Sequence, residues 1–337
     1  MTIVPQKQEE KRVIMEPIIT ISKTIRPKMS KQSEDDYHVS EEKEQLKTEN
    51  TPKEDNVEDI SPLIHSAQLL TECNSQLTPE RKAEILQTFL FLSKPTFNLV
   101  AKSIDFTTWP EDVMSDLCKE MQSMDLTSNS APLLLLKSAL YPKIASLKTS
   151  ASRLLMNGIL SLAREQGKLI INGLLLPLLF QSSLERPQFE VINKTAMESL
   201  KPAHRLVLLQ AILSDGEMYH SDHADNRRSL RPWSDTIYQL IGNVLSCQPL
   251  LTLTKEALDE IIQSVRTTVS FNPKDKNSMQ LLLIITSKHA QEVVEFDCIE
   301  TIESISNSSK MFLKRAVLGH IAAIKKNIQS LQSSRAT

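Results

Sequence analysis

The sequence predicts an all-α fold, an α-solenoid of stacked antiparallel helix pairs, behind a polar N-terminal segment expected to be disordered. Three observations carry this. Glycine is scarce: there are six in 337 residues, the first at Gly158. All-β folds need glycine for their tight turns, and dinucleotide- and phosphate-binding loops need it to let the backbone approach the ligand. Apolar residues recur at helical spacing in segment after segment. Prolines punctuate the helical segments, standing at the starts in Thr78-Pro79, Trp109-Pro110 and Ala131-Pro132.

Residues 1–60 carry 10 basic and 14 acidic side chains, one aromatic (Tyr37) and one leucine (Leu46). Such a stretch buries too little apolar surface to offset chain entropy. Its one apolar patch, Val13 to Ile25, reads either as a short docking motif or as incidental composition. From about Pro62 the helical pattern begins, giving a helical-repeat domain over 61–330 and a short tail over 331–337. Thr78-Pro79-Glu80 supplies an N-cap, a first-turn proline and an acid that suits the helix dipole, so a helix runs from Arg81 to Leu92. Trp109-Pro110-Glu111-Asp112 opens the next, to about Met121. Further helices are expected from Ala131-Pro132, from about Ser150 to Arg164, over Lys168–Phe180 with an interruption at Pro177, and near 187–198, 203–213 and 233–246. The last four are near 255–266, 277–288, 292–303 and 308–330. In the first of these, Leu258, Ile261, Ile262 and Val265 form one stripe behind the cap Thr254. Thr268–Phe271 is the one weak strand candidate. Met279–Ile285 and Leu174–Phe180 are apolar nearly all round, which places them between neighbours, as stacked helix pairs of the HEAT/ARM type require.

Charge and cysteines bound the function. The net charge is −2, so the chain as a whole is no polycation. Cys73, Cys118, Cys247 and Cys298 lie far apart, which fits a reducing compartment better than a disulfide scaffold. The most apolar run, Leu169 to Phe180, is too short for a bilayer, so no membrane association is expected. Residues 304–337 hold six basic and no acidic side chains: Lys310, Lys314, Arg315, Lys325, Lys326 and Arg335. This is a local basic surface, read as a solvated helix face whose lysines suit a helix C-terminus or as a nucleic-acid contact shared with Arg227, Arg228 and Arg231. Scarce aromatics and the overall charge weigh against direct DNA binding.

The one metal-like cluster runs Glu217, His220, Asp222, His223, Asp225, and reads either as a divalent-ion site or as a solvated loop. No nucleophile elbow, zinc-helix motif, Walker lysine or dinucleotide fingerprint occurs, so neither catalysis nor a cofactor is expected. The last helix says more. At 100° per residue, Leu313, Val317, Ile321, Ile324, Ile328 and Leu331 fall within about 80° of arc. Phe312 lies more than about 120° from that stripe, beside Lys314 and Arg315. It is either an exposed hot spot for an acidic and apolar partner or a side chain covered by another helix.

Four segments, in order, are similar to one known family. Ser146-Leu147-Lys148-Thr149-Ser150-Ala151-Ser152-Arg153-Leu154-Leu155 is followed by Glu198-Ser199-Leu200-Lys201-Pro202, by Leu253-Thr254-Lys255-Glu256, and by Phe312-Leu313-Lys314-Arg315. Together they resemble the C-terminal helical-repeat domain of the Fanconi anaemia group E family over roughly 60–337. The resemblance implies a nuclear, non-catalytic adaptor in the Fanconi core complex, a ubiquitin ligase of DNA interstrand cross-link repair. One surface would hold the group C subunit and other core-complex subunits. Another would recruit the substrate, the group D-two protein. The family's substrate-docking Phe-Leu pair falls on Phe312 and Leu313, with Lys314 and Arg315 beside it; the helical wheel places Leu313 in the core stripe. The basic residue linked to the group C contact falls on Lys143, which keeps the charge without arginine's fork. Arg153 reads as an interface residue or as a clamp on the preceding helix.

Overall fold

The computed structural model describes residues 59–124, 130–215 and 229–335, the last five of these by backbone alone. Among them every regular element is helical and there is no strand. The chain forms α1 (Ser61–Glu72), α2 (Pro79–Leu90), α3 (Lys94–Ser103) and α4 (Glu111–Gln122). Ala131–Leu135, a π turn Leu136–Leu140 and Tyr141–Ala145 run on as α5. After α6 (Arg153–Glu165), α7 repeats that build: Gly167–Ile170, a π turn Ile171–Leu175, then Leu176–Leu179. Then come α8 (Arg186–Glu198), α9 (Pro202–Leu213), α10 (Asp235–Ser246), α11 (Lys255–Phe271) and α12 (Lys276–Lys288). Three more follow: α13 (Ala290–Glu295), α14 (Ile299–Ser308) and α15 (Lys314–Arg335).

The starts are set locally. Thr78, Ser93, Ser152, Ser234 and Thr254 each accept a hydrogen bond from the backbone N–H three residues on, and the Asp275 carboxylate does the same for Ser278. Both π turns come just before a proline, Pro142 in α5 and Pro177 in α7. Proline has no N–H to offer the carbonyl four residues back, and the wider turn takes up that misfit without ending the helix. The interruption expected at Pro177 is therefore a bulge in a continuous helix. The two bulged helices pack together, and Gly173 allows it: a Cβ there would come within 3.0 Å of Leu136.

The helices stack in two rows. In one, α2, α4, α6, α8, α10, α12 and α15 each pack on the next. In the other, α3, α5 and α7 follow in turn, as do α9, α11 and α14. The apolar faces meet between the rows in one continuous core. At its N-terminal end Phe89, Phe106 and Trp109 meet edge to face, with ring centroids 5.0–5.9 Å apart, and Phe97 stacks on Phe106.

A repeat length is written in the hydrogen bonds between successive pairs. The Gln166 amide donates to the Gln122 and Met124 carbonyls, and the Gln188 amide to those of Ala145 and Leu147. The Arg205 guanidinium donates to the Cys247 and Pro249 carbonyls, Lys288 to Ser246, and the His289 ring meets the Leu245 carbonyl at 3.0 Å. Every one of these spans 41–44 residues. Helical-repeat solenoids of the expected type have units of about 40–47 residues.

Four expectations are corrected. α3 was not expected, though Ser93-Lys94-Pro95 carries the cap and proline that announce α2. The helix near 255–266 runs to Phe271, so Thr268–Phe271 is its last turn and not a strand. The helix near 292–303 is two, α13 and α14, divided at Asp297, whose φ of +56° turns the chain. The helix expected from 308 begins at Lys314.

Candidate protein-interaction surface

The turn between α14 and α15 starts from a buried serine. The Ser309 hydroxyl donates to the Pro273 carbonyl at 3.1 Å, and the Lys310 N–H donates to the same oxygen at 2.8 Å. The Met311 N–H donates back to the Ser309 hydroxyl, and the Lys314 ammonium to the Ser309 carbonyl. Main-chain bonds from Lys314 to Met311 and from Arg315 to Phe312 close the turn. The backbone is thus tied down while the Phe312 side chain stays 73% exposed. Phe312 does point away from the core, but from the turn before the helix and not from the helix surface. The reading in which another helix covers it does not hold.

Leu313 is half-buried against the core, and its carbonyl accepts from the Ala316 and Val317 N–H groups, so it seats the first turn of α15. The stripe continues through Val317, Ile321 and Ile324, all buried, to a half-buried Ile328; the Leu331 side chain lies outside the described residues. Around Phe312, Lys310 and Arg315 are exposed and Lys314 is half-buried. These cations do not sit where a helix favours them. Lys314 and Arg315 occupy the first turn of α15, which holds no acidic residue, and there they oppose the positive end of the helix dipole. The reading of the basic surface as lysines suited to a helix C-terminus is overturned for them. Further along α15, Lys325 is paired with Glu303 of α14 at 2.7 Å.

Phe271 was missed. It ends α11, 86% exposed, on the far side from Val265 and Val269. The helical wheel of that segment identifies it once the helix is carried five residues past 266.

The second set of expected partner residues lies elsewhere. The Lys143 ammonium of α5 donates to the Trp109 carbonyl at 2.6 Å, where it ties α5 to the start of α4. Arg153 is exposed at the first position of α6. Beside it Leu154 is 48% exposed. Lys143 and Arg153 stand on either side of the 146–152 connection, at one end of the α5–α6 pair.

The cluster Glu217–Asp225 and the cations Arg227 and Arg228 lie outside the described residues. Arg231 pairs with Glu260 at 2.7 Å and donates to the Leu213 carbonyl. Among the described residues no three His, Cys, Asp or Glu side chains converge as metal ligands. Burial in the core pushes the Cys118 thiol up to about 12, far from a reactive thiolate. His204, half-buried against Gly167, is held below the usual imidazole value by burial first and by Lys201 second. A groove of about 870 Å³ opens over α9, walled by Asn172 and Leu176 on one side and Glu256 and Glu260 on the other. No described helix is long and apolar enough to cross a membrane.

No family model matches the chain, and no curated protein matches it.

Proposed function

We propose that this chain is a non-catalytic adaptor of the Fanconi core complex, acting in the nucleus in interstrand cross-link repair. It would hold the group C subunit on one surface and present the group D-two substrate on another. The observation that carries the reading is Phe312: a rigid turn displays a large aromatic side chain beside Lys310 and Arg315, at the place where the family resemblance puts its substrate contact. Exposed aromatics flanked by cations are frequent energetic centres of protein interfaces. A two-row helical stack also offers the extended surface an adaptor needs. In this reading Leu313 orients the turn from beneath, and Lys143 and Arg153 mark the end of the α5–α6 pair that faces the group C subunit.

A pull-down from nuclear extract tests it, with the full chain and its Phe312→Ala variant as baits. Both should recover group C and other core subunits, and the variant should lose the group D-two protein. A loss of about 1–3 kcal/mol of binding is expected for an exposed hot spot. The thermal midpoint should not move, because the side chain is in solvent. Recovery of no core subunit by either bait would end the assignment.

A further inference from the structure

Phe312 does not stand alone. The turn that carries it is hydrogen-bonded to the turn between α11 and α12, through the Ser309 hydroxyl and the Lys310 N–H on the Pro273 carbonyl. Two residues before Pro273 is Phe271, the most exposed large apolar side chain of the described residues. Chain geometry limits the separation of the two phenylalanine Cα atoms to about 20 Å, the reach of about six extended residues. Residues 271–276 and 309–315 contain five cations, Lys274, Lys276, Lys310, Lys314 and Arg315, against one acid, Asp275. The Asp275 carboxylate is turned inward, accepting the Ser278 N–H at 2.6 Å as the cap of α12. Lys314 is held by the Ser309 carbonyl. Lys274, Lys276, Lys310 and Arg315 are exposed.

From this we infer that the two turns form one docking surface for an acidic segment of a partner protein that carries two apolar side chains. One apolar side chain would meet Phe271 and the other Phe312, while carboxylates between them face the lysines and Arg315. The inference rests on the adaptor reading and names the chemistry of what docks there. Charge decides between an acidic protein and a nucleic acid. Four exposed cations, two on the turns and two at the helix starts that follow them, make too short a track for a polyphosphate backbone, whose affinity is built from many phosphate contacts. They are enough to select a short acidic segment, and the phenylalanines supply contact area that a phosphate chain does not use.

The test pans a phage-displayed random peptide library on the full chain. Enriched peptides should be net negative with two apolar residues within about six positions. A synthetic lead peptide should bind about 10-fold more weakly, or worse, to Phe271→Ala, to Phe312→Ala and to Lys310→Glu, with thermal midpoints unchanged. Raising the salt should weaken it further. The inference is overturned if nothing is enriched, if the enriched peptides are neutral or basic, or if Phe271→Ala binds the lead peptide as the parent chain does. It is also overturned if labelled single- or double-stranded DNA binds more tightly than the peptide and depends on the same side chains. The pull-down separates this outcome from the assignment. Acidic peptides that need both phenylalanines, with no core subunit recovered, leave the surface standing and remove the Fanconi assignment. Full recovery of the substrate by Phe271→Ala does the reverse.

Discussion

Arg205 shows how much one side chain can hold in this fold. It is 1% exposed, no carboxylate pairs with it among the described residues, and its guanidinium donates to two carbonyls just past the end of α10. Those carbonyls lie at the negative end of the helix dipole, which compensates the buried charge. Arg205→Ala should cost about 2–4 kcal/mol, because it opens a cavity where a fully buried side chain stood and removes two charge-assisted hydrogen bonds. Arg205→Lys should recover only part of that, since one ammonium cannot span both oxygens as a planar fork does. Urea unfolding of the three proteins checks both statements; a neutral Arg205→Ala would mean water replaces the fork. Nothing in the sequence identifies this residue. Its acceptors are backbone oxygens more than forty positions away, and a backbone oxygen has no residue type. Phe312 was legible, although by a route that needed correcting: a wheel drawn one turn too far placed it on the right side. Phe271 was hidden because Thr268–Phe271, with the β-branched Thr268 and Val269, suggested extended chain, whereas burial of Val265 and Val269 on the core continues the helix.

At the scale of the element, capping was the most readable feature. Thr78 and Thr254 sit where their hydroxyls were expected to meet the first turn. The first turn of α15 carries two cations and no acid, where those of α3, α6 and α8 carry one cation and no acid. Natural sequences break a local rule of this kind where function asks for it. Arg315→Glu should therefore act in opposite directions on stability and binding. The new carboxylate would favour the helix by about 0.3–1 kcal/mol, raising the thermal midpoint slightly, and would weaken capture of an acidic partner. Calorimetry beside the pull-down reads both. A variant that loses stability, or one that keeps its partner, would show that the cation is there for the fold. The paired bulges of α5 and α7 were not legible. Pro177 announced an interruption and Pro142 did not, and only the contact between Leu136 and Gly173 shows that the two helices use their bulges to come close.

At the scale of the molecule, the stack has a period that the residues conceal. The same task, donating to the carbonyls that close a helix in a neighbouring repeat, falls to Gln166, Gln188, Arg205, Lys288 and His289. Five positions and four residue types leave no repeated motif to find, although a separation of 41–44 residues is common to all five. Because each helix pair touches mainly its neighbours, protection should be graded along the stack. Amide hydrogen exchange should be slowest in α4, α6, α10 and α12, whose faces are covered from both sides, and faster in α1 and the C-terminal part of α15. Uniform protection from end to end would mean that the array melts as a single unit. The end of α10 has a mechanical consequence. Arg205 reaches it from the preceding repeat, and Lys288 and His289 from the following one, so three side chains fasten the same few carbonyls from opposite directions. A molecule gripped at its two ends and pulled would stretch like a spring with one welded coil. It would lengthen and twist on either side of α10 while that joint kept its angle, and strain arriving at one end would be absorbed before it reached the other.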